Sequence, residues 1–230
     1  MFRLRPSSER GHFDFGWLQT RHSFSFGEYS DREHMGFRSL RVINEDVIAP
    51  GRGFDEHDHA DMEIVTVVIT GALAHRDSLG NGTTITPGEV QRMTAGLGIS
   101  HSEYNASATE PVHLLQIWLR PDRKGHLPGY EQKAFDFRNG LIRVASGSGQ
   151  EGAIYIHQDV ELFRVQITAN QSQYYPLALA RHGWVQMVAG QLKVGDQTLG
   201  PGDGLAISAV RGIDFVAGGE GASFLFFDLA

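Results

Sequence analysis

Apolar and polar positions along this chain fall into short runs separated by turn signals. Residues 62–70 (MEIVTVVIT), 72–77 (ALAHRD), 113–120 (HLLQIWLR), 162–168 (LFRVQIT), 184–190 (WVQMVAG) and 222–229 (ASFLFFDL) are rich in β-branched and aromatic residues. Such spacing predicts strands of a sandwich or barrel, and the fold class is all-β. HLLQIWLR alternates and then becomes continuously apolar, as a buried strand does. Long helical patterns are scarce. Residues 122–152, with DRKGHLPGYEQ and SGSGQEG, are rich in Gly, Lys, Arg, Asn, Ser and Gln and read as a connection plus linker.

An internal repeat divides the chain in two. Thr70-Gly71-Ala72-Leu73 resembles Ala189-Gly190-Gln191-Leu192, and Pro87-Gly88-Glu89 resembles Pro201-Gly202-Asp203. The expected domains are residues 1–137 and 138–230, a division that 230 residues allow.

Two segments carry the candidate chemistry: HDH at 57–59 and HSE at 101–103. On a strand, side chains two apart share a face, so His57 with His59, and His101 with Glu103, point the same way. Pairs of this kind can converge on one ion at about 2.0–2.2 Å from each donor. A lone His-x-His is common on a solvated strand; the second pair, repeating the geometry, is what makes a site of three imidazoles and one carboxylate. Glu63 is an alternative ligand, a hydrogen-bonding partner of the site, or a solvated strand residue. Mapped through the repeat, the four positions fall on Pro176, Ala178, Phe215 and Ala217, none of which ligates a metal. The second domain is therefore expected to be a degenerate copy without a site.

Other chemistry-bearing residues have plainer readings. His157, Asp159 and Glu161 share a face at period two, as a second metal or regulatory site would, but also as the polar face of an exposed strand does. His22 and His113 read as core histidines, and His75, ahead of a hairpin turn, as a surface residue. Phe24, Phe26 and Tyr29 read as core or interdomain packing rather than a substrate wall. No P-loop, G-x-S-x-G or G-x-G-x-x-G opening a helix is present.

Composition narrows the classes. The chain has no cysteine, which removes disulfides, thiolate ligation and a cysteine nucleophile. A net charge of −7 argues against a nucleic-acid footprint. No apolar run approaches the ~20 residues of a membrane helix, and the N-terminal residues lack an apolar signal core. A cytoplasmic location is the expectation.

GRGFDEHDHADMEIVTVVITGAL and PGEVQRMTAGLGISHSEYN resemble the paired motifs of the cupin superfamily. The departures are a one-residue-long Glu63–Gly71 spacing, Thr94 in place of the motif proline, and two extra residues between Gly96 and His101. RHSFSFGEYSD at 21–31, LRVINEDVI at 40–48, MTAGLGISHSEYN and LLQIWLRP at 114–121 together resemble the pirin family over nearly the whole chain. The resemblance implies two tandem cupin barrels (double-stranded β-helix or jelly-roll), a bicupin with the metal in the N-terminal domain. It implies His57, His59, His101 and Glu103 as ligands. Glu63 is then left to hydrogen-bond a ligand imidazole or bound water.

Some pirin relatives act as quercetin 2,3-dioxygenases, and the eukaryotic founder is a metal-binding transcriptional co-regulator. The expected function is thus a dioxygenase that cleaves a flavonol such as quercetin with O₂, with Glu103 as general base. The alternative is a metal-dependent redox sensor that contacts a protein partner. The cofactor is one divalent transition metal, iron(II) favoured, with nickel, copper, manganese or zinc admissible. An enzyme needs a cavity of several hundred Å³ with mainly apolar walls, whereas a sensor needs only a shallow site.

Overall fold

The computed structural model describes residues 1–230 as twenty strands with two single turns of 3-10 helix and no α-helix. No helix is long and apolar enough to cross a membrane. The chain forms two compact units, Gly11–Phe135 with Ile156–Gln158, and Met1–Arg10 with Asp136–Tyr155 and Asp159–Ala230. The expected division at 137/138 therefore needs three corrections, the smallest being that Asp136 and Phe137 belong to the second unit. The first ten residues belong to the second unit, because β1 (Phe2–Arg5) pairs antiparallel with β19 (Gly204–Ile207). Ile156–Gln158 belong to the first, where the backbone N–H of Asp122 donates to the His157 carbonyl and Gln158 Nε2 to the Arg120 carbonyl.

The first unit contains two antiparallel sheets. One has seven strands: β2 (Gly11–Asp14), β3 (Leu18–His22), β4 (Leu40–Ile48), β6 (Glu63–Thr70), β9 (Glu89–Thr94), β11 (Val112–Leu119) and β12 (Gly129–Ala134). Its spatial order is β12-β9-β6-β11-β4-β3-β2. The other sheet, in the order β5-β10-β7-β8, is built from β5 (Gly53–His59), β7 (Leu73–Asp77), β8 (Gly82–Ile85) and β10 (Ile99–Asn105). Leu18, Ile48, Val68, Leu73, Ile85, Val112 and Leu114 make one apolar cluster, and Ile64, Met93, Ala95 and Ile99 a second. β12 lies inside the stretch expected to be linker.

The second unit is a single nine-stranded sheet: β1, β13 (Gly140–Ser146), β14 (Ile154–Tyr155), β15 (Val160–Ile167), β16 (Ser172–Tyr175), β17 (His182–Val194), β18 (Gln197–Leu199), β19 and β20 (Ile213–Leu229). β20 pairs with β15 along its C-terminal half and β16 along its N-terminal half, while β17 runs beside both halves. Its core holds Val165, Met187, Phe215, Phe224 and Phe226, with the Phe215 ring tilted against Phe224 and edge-on to Phe226, each at 5.1 Å. Burial of one such ring contributes roughly 1.5–3 kcal/mol. Phe215 and Ala217, the mapped counterparts of His101 and Glu103, belong to this core.

The repeated glycines are equivalent in conformation. Gly71 has φ +81° and Gly190 φ +75°. A Cβ at Gly71 would sit 2.7 Å from the Pro111 carbonyl oxygen, and one at Gly190 would sit 2.1 Å from that of Gly221. Both units thus require a residue without a side chain at this turn.

Candidate metal centre

β10 alternates strictly. Ile99, His101, Glu103 and Asn105 are buried, and Ser100, Ser102 and Tyr104 are half-buried. On one edge, β5 sets His57 opposite His101 and His59 opposite Ile99. The register slips between His101 and Glu103, so that Glu103 faces Phe54. Such a bulge bends the strand and re-aims its side chains. On the other edge, β7 sets Asp77 opposite His101 and His75 opposite Glu103.

The donor atoms of His57, His59 and His101 lie within 4.8 Å of one another, as do those of His75, His101 and Glu103. His101 is common to both groups. Its Nε2 is 3.1 Å from the Nε2 of His57. Two nitrogens bound at about 2.1 Å to one ion, at a right angle, stand about 3 Å apart. The Nδ1 of His57 donates to the Asp55 carbonyl at 2.8 Å, which leaves the lone pair of the neutral ring on Nε2. Glu103 is 2 % exposed. Its Oε2 accepts from Gln116 Nε2 at 2.7 Å, while its Oε1 is buried with no partner. The carboxylate of Glu103 groups with His75 and His101, and His101 links it to His57 and His59; oxygen and imidazole donors of this kind suit a divalent ion.

Burial, reinforced by the neighbouring His57, lowers His59 to about 4 and His101 to about 3. Both rings are therefore neutral, the form that ligates. Burial also pushes Glu103 up to about 7, with the Gln116 amide opposing and Asp46 reinforcing.

A cavity of about 710 Å³ opens on this cluster. Its walls include Trp17, Phe26, Phe54 and Trp118, and His57, His59 and Glu103 line it at the metal end. Trp118 meets the His59 ring edge-on at 4.9 Å and the Phe26 ring at 5.3 Å. Trp118 Nε1 donates to Gln116 Oε1 at 3.1 Å, which turns the amide NH₂ of Gln116 toward Glu103. Phe26, expected as packing, is a cavity wall, and so is His22, whose ring lies 5.3 Å from that of Phe26. Phe24 is core at 2 % exposure.

His75 is the residue the sequence reading misplaced. It is 1 % exposed, not superficial, and lies beneath the Tyr130 ring at 4.8 Å. The signal was the period of two in Leu73, His75 and Asp77, which shares a face with a core leucine.

Glu63 makes its hydrogen bonds away from His57, His59 and His101. It begins β6 in the seven-stranded sheet, opposite Thr94 and Leu119, whereas the histidines occupy the other sheet. It accepts from Thr94 Oγ1 at 3.1 Å and pairs with His157 Nδ1 at 3.0 Å. His157 in turn stacks on His126 at 3.9 Å. The same-face trio at 157–161 is thus dispersed, because Asp159 pairs with Arg181 and Glu161 with Arg143. His113 pairs with Glu45 at 3.1 Å and is partly exposed rather than core.

Residues 3–119 match the Pirin family, and residues 143–229 match the quercetinase C-terminal cupin domain. A quercetin 2,3-dioxygenase of Escherichia coli (strain K12) is 44 % identical over 229 residues, which cover 100 % of this chain and 99 % of that protein. The crystal structure of YhhW from Escherichia coli superposes with a TM-score of 0.98 at 43 % identity, covering 100 % of this chain and 98 % of that one. The bacterial pirin YhhW in complex with nickel(II) gives 0.96 at 43 % identity, with 100 % and 99 % covered. An all-β chain with a pirin match before residue 120 and a cupin match after residue 142 has the two-cupin architecture, and the protein belongs to the pirin family.

Proposed function

We propose that this protein is a metal-dependent dioxygenase that opens a flavonol such as quercetin with O₂. His57, His59, His101 and Glu103 are its ligands, and iron(II) is the favoured ion. The observation that carries the reading is the cavity of about 710 Å³ with aromatic walls and the histidine–glutamate cluster at one end. A redox sensor or protein-binding co-regulator has no use for a cleft of that volume, which lies within the range of small-molecule sites. The naming of the Escherichia coli relative as a quercetin 2,3-dioxygenase supports the substrate class. The nickel(II) complex of a second relative keeps nickel beside iron as a candidate.

A divalent ion, when bound, supplies Lewis acidity that lowers the pKa of a flavonol hydroxyl. The protein supplies the rest. Trp118 and Phe26 give the planar substrate apolar faces beside the ligand cluster. Glu103, when detached from the ion, receives the hydroxyl proton at Oε1, the oxygen that no protein donor occupies. Gln116 holds the opposite oxygen, so the carboxylate keeps its orientation while the proton moves. The test is anaerobic loading with iron, nickel or copper, then quercetin and measured O₂ uptake. No substrate-dependent uptake with any of the three sinks the enzyme reading.

A further inference from the structure

Behind His101, on the side away from the cavity, lie two buried residues that the proposed chemistry does not use. The side chains of His75 and Asp77 are both fully buried. Asp77 is held by donors alone. Its Oδ1 accepts from the backbone N–H groups of Leu79 and Asn81 at 3.0 Å, and its Oδ2 from Asn81 Nδ2 at 2.9 Å. A carboxylate so placed is an acceptor only, so the His75 Nε2 at 3.1 Å from Oδ2 carries the proton. With His75 neutral, its Nδ1 is a lone pair. The His101 Nδ1, 3.4 Å away, must then be the donor. That leaves His101 Nε2 bare, facing the equally bare His57 Nε2 at 3.1 Å.

We propose that Asp77 and His75 form a relay that fixes the tautomer of His101, presents its Nε2 as the ligating nitrogen, and thereby sets how tightly the centre holds a divalent ion. The proposal rests on His101 being a ligand and adds two positioning residues to the centre. Partners of this kind typically change metal affinity 10–100-fold. Here an imidazole stands between ligand and carboxylate, so the relay has two links, each of which can be reversed.

The experiment has two readouts, neither of them turnover. Long-range ¹H–¹⁵N correlation spectra of the metal-free protein report which nitrogen of His101 is protonated, and competition against a chelator gives the nickel(II) affinity. The wild type is expected to carry the His101 proton on Nδ1. His75→Leu removes the acceptor and lowers nickel affinity 10–100-fold. His75→Gln, with an oxygen to accept and an NH₂ to donate, restores most of it. Asp77→Asn is the sharper variant. The backbone N–H groups of Leu79 and Asn81 keep the amide oxygen at the Oδ1 position, so the NH₂ faces His75. His75 then moves its proton to Nδ1, and His101 moves its own to Nε2, where it blocks ligation. The relay is overturned if wild-type His101 is protonated at Nε2, or if His75→Leu and Asp77→Asn both bind nickel as tightly as the wild type. A wild-type protein that takes up no nickel overturns the ligand reading, while the spectra still decide the tautomer.

Discussion

The Nε2 atoms of His57 and His101 face one another across 3.1 Å, with the remaining nitrogen of each ring turned to another partner. Two lone pairs at that distance repel unless a proton or a metal ion lies between them. The proposed metal ion would relieve that repulsion, and the behaviour of the cluster should depend on whether it is bound.

One ion per chain is the direct expectation. Elemental analysis of the purified, loaded protein should give about one metal per chain, and His57→Ala, His59→Ala and His101→Ala should each reduce it sharply. Unchanged content in all three variants would remove the site from β5 and β10.

Glu103→Gln separates binding from chemistry. The amide keeps the shape and loses the basicity, with its oxygen held by Gln116 and the three imidazoles left to retain the ion. Metal content should persist while turnover of quercetin falls ~10²–10⁴-fold, the usual cost of a lost general base. Normal turnover would take the proton-transfer role from Glu103 and leave the fold and the metal untouched.

The metal-free protein should be squeezed by pH from both sides. Glu103 titrates at about 7 against an ordinary 4.5. Below 4.5 both folded and unfolded chains hold that proton, so it has no effect. Between 4.5 and 7 only the unfolded chain releases it, and stability falls as pH rises. Above 7 the whole cost, on the order of 3 kcal/mol, is present. His59 and His101 act in the opposite direction. Their folded values of about 4 and about 3 lie below the ordinary 6.5, so stability falls as pH drops below 6.5. Urea midpoints of metal-free wild type and Glu103→Gln between pH 4 and 9 test this. The variant's relative stability should climb from pH 4.5 to 7 and then level off. A pH-independent difference would contradict it.

The second unit is proposed to take no metal. The mapped positions Pro176 and Ala178 are exposed and apolar, and Phe215 and Ala217 are core. An anomalous-difference map of the loaded protein should show one strong peak, in the first unit. A protein-bound peak among residues 159–230 would refute the degeneracy.

Much of this cluster was legible in the sequence because His57 with His59, and His101 with Glu103, lie two apart on strands, so local spacing alone aligns them. The burial pattern of Ile99–Asn105 follows the same period. What the sequence hid was set by pairing between distant strands. His75 is brought to His101 by the β7–β10 register, and Glu63 meets His157 across 94 positions. β12 was read as linker because it is an edge strand that pairs only with β9, so its GYEQKA sequence need not be apolar on either face. The cavity was equally hidden, because Phe26 and Trp118 look like core residues until the space between them is seen.

The pairing of Phe2–Arg5 with Gly204–Ile207 has a consequence for biogenesis. Phe2–Arg5 leaves the ribosome well before Gly204–Ile207 and waits for that distant segment before it finds its partner. Until then the residues of the first unit can collapse on their own, since Gly11–Phe135 is continuous in sequence. The second unit must instead close a loop of nearly the full chain, the kind of non-local contact that slows folding. An N-terminal fusion or truncation that disturbs residues 1–10 would therefore do its damage far from the ligand cluster. It would leave β19 with an open strand edge, and strand edges are where chains aggregate.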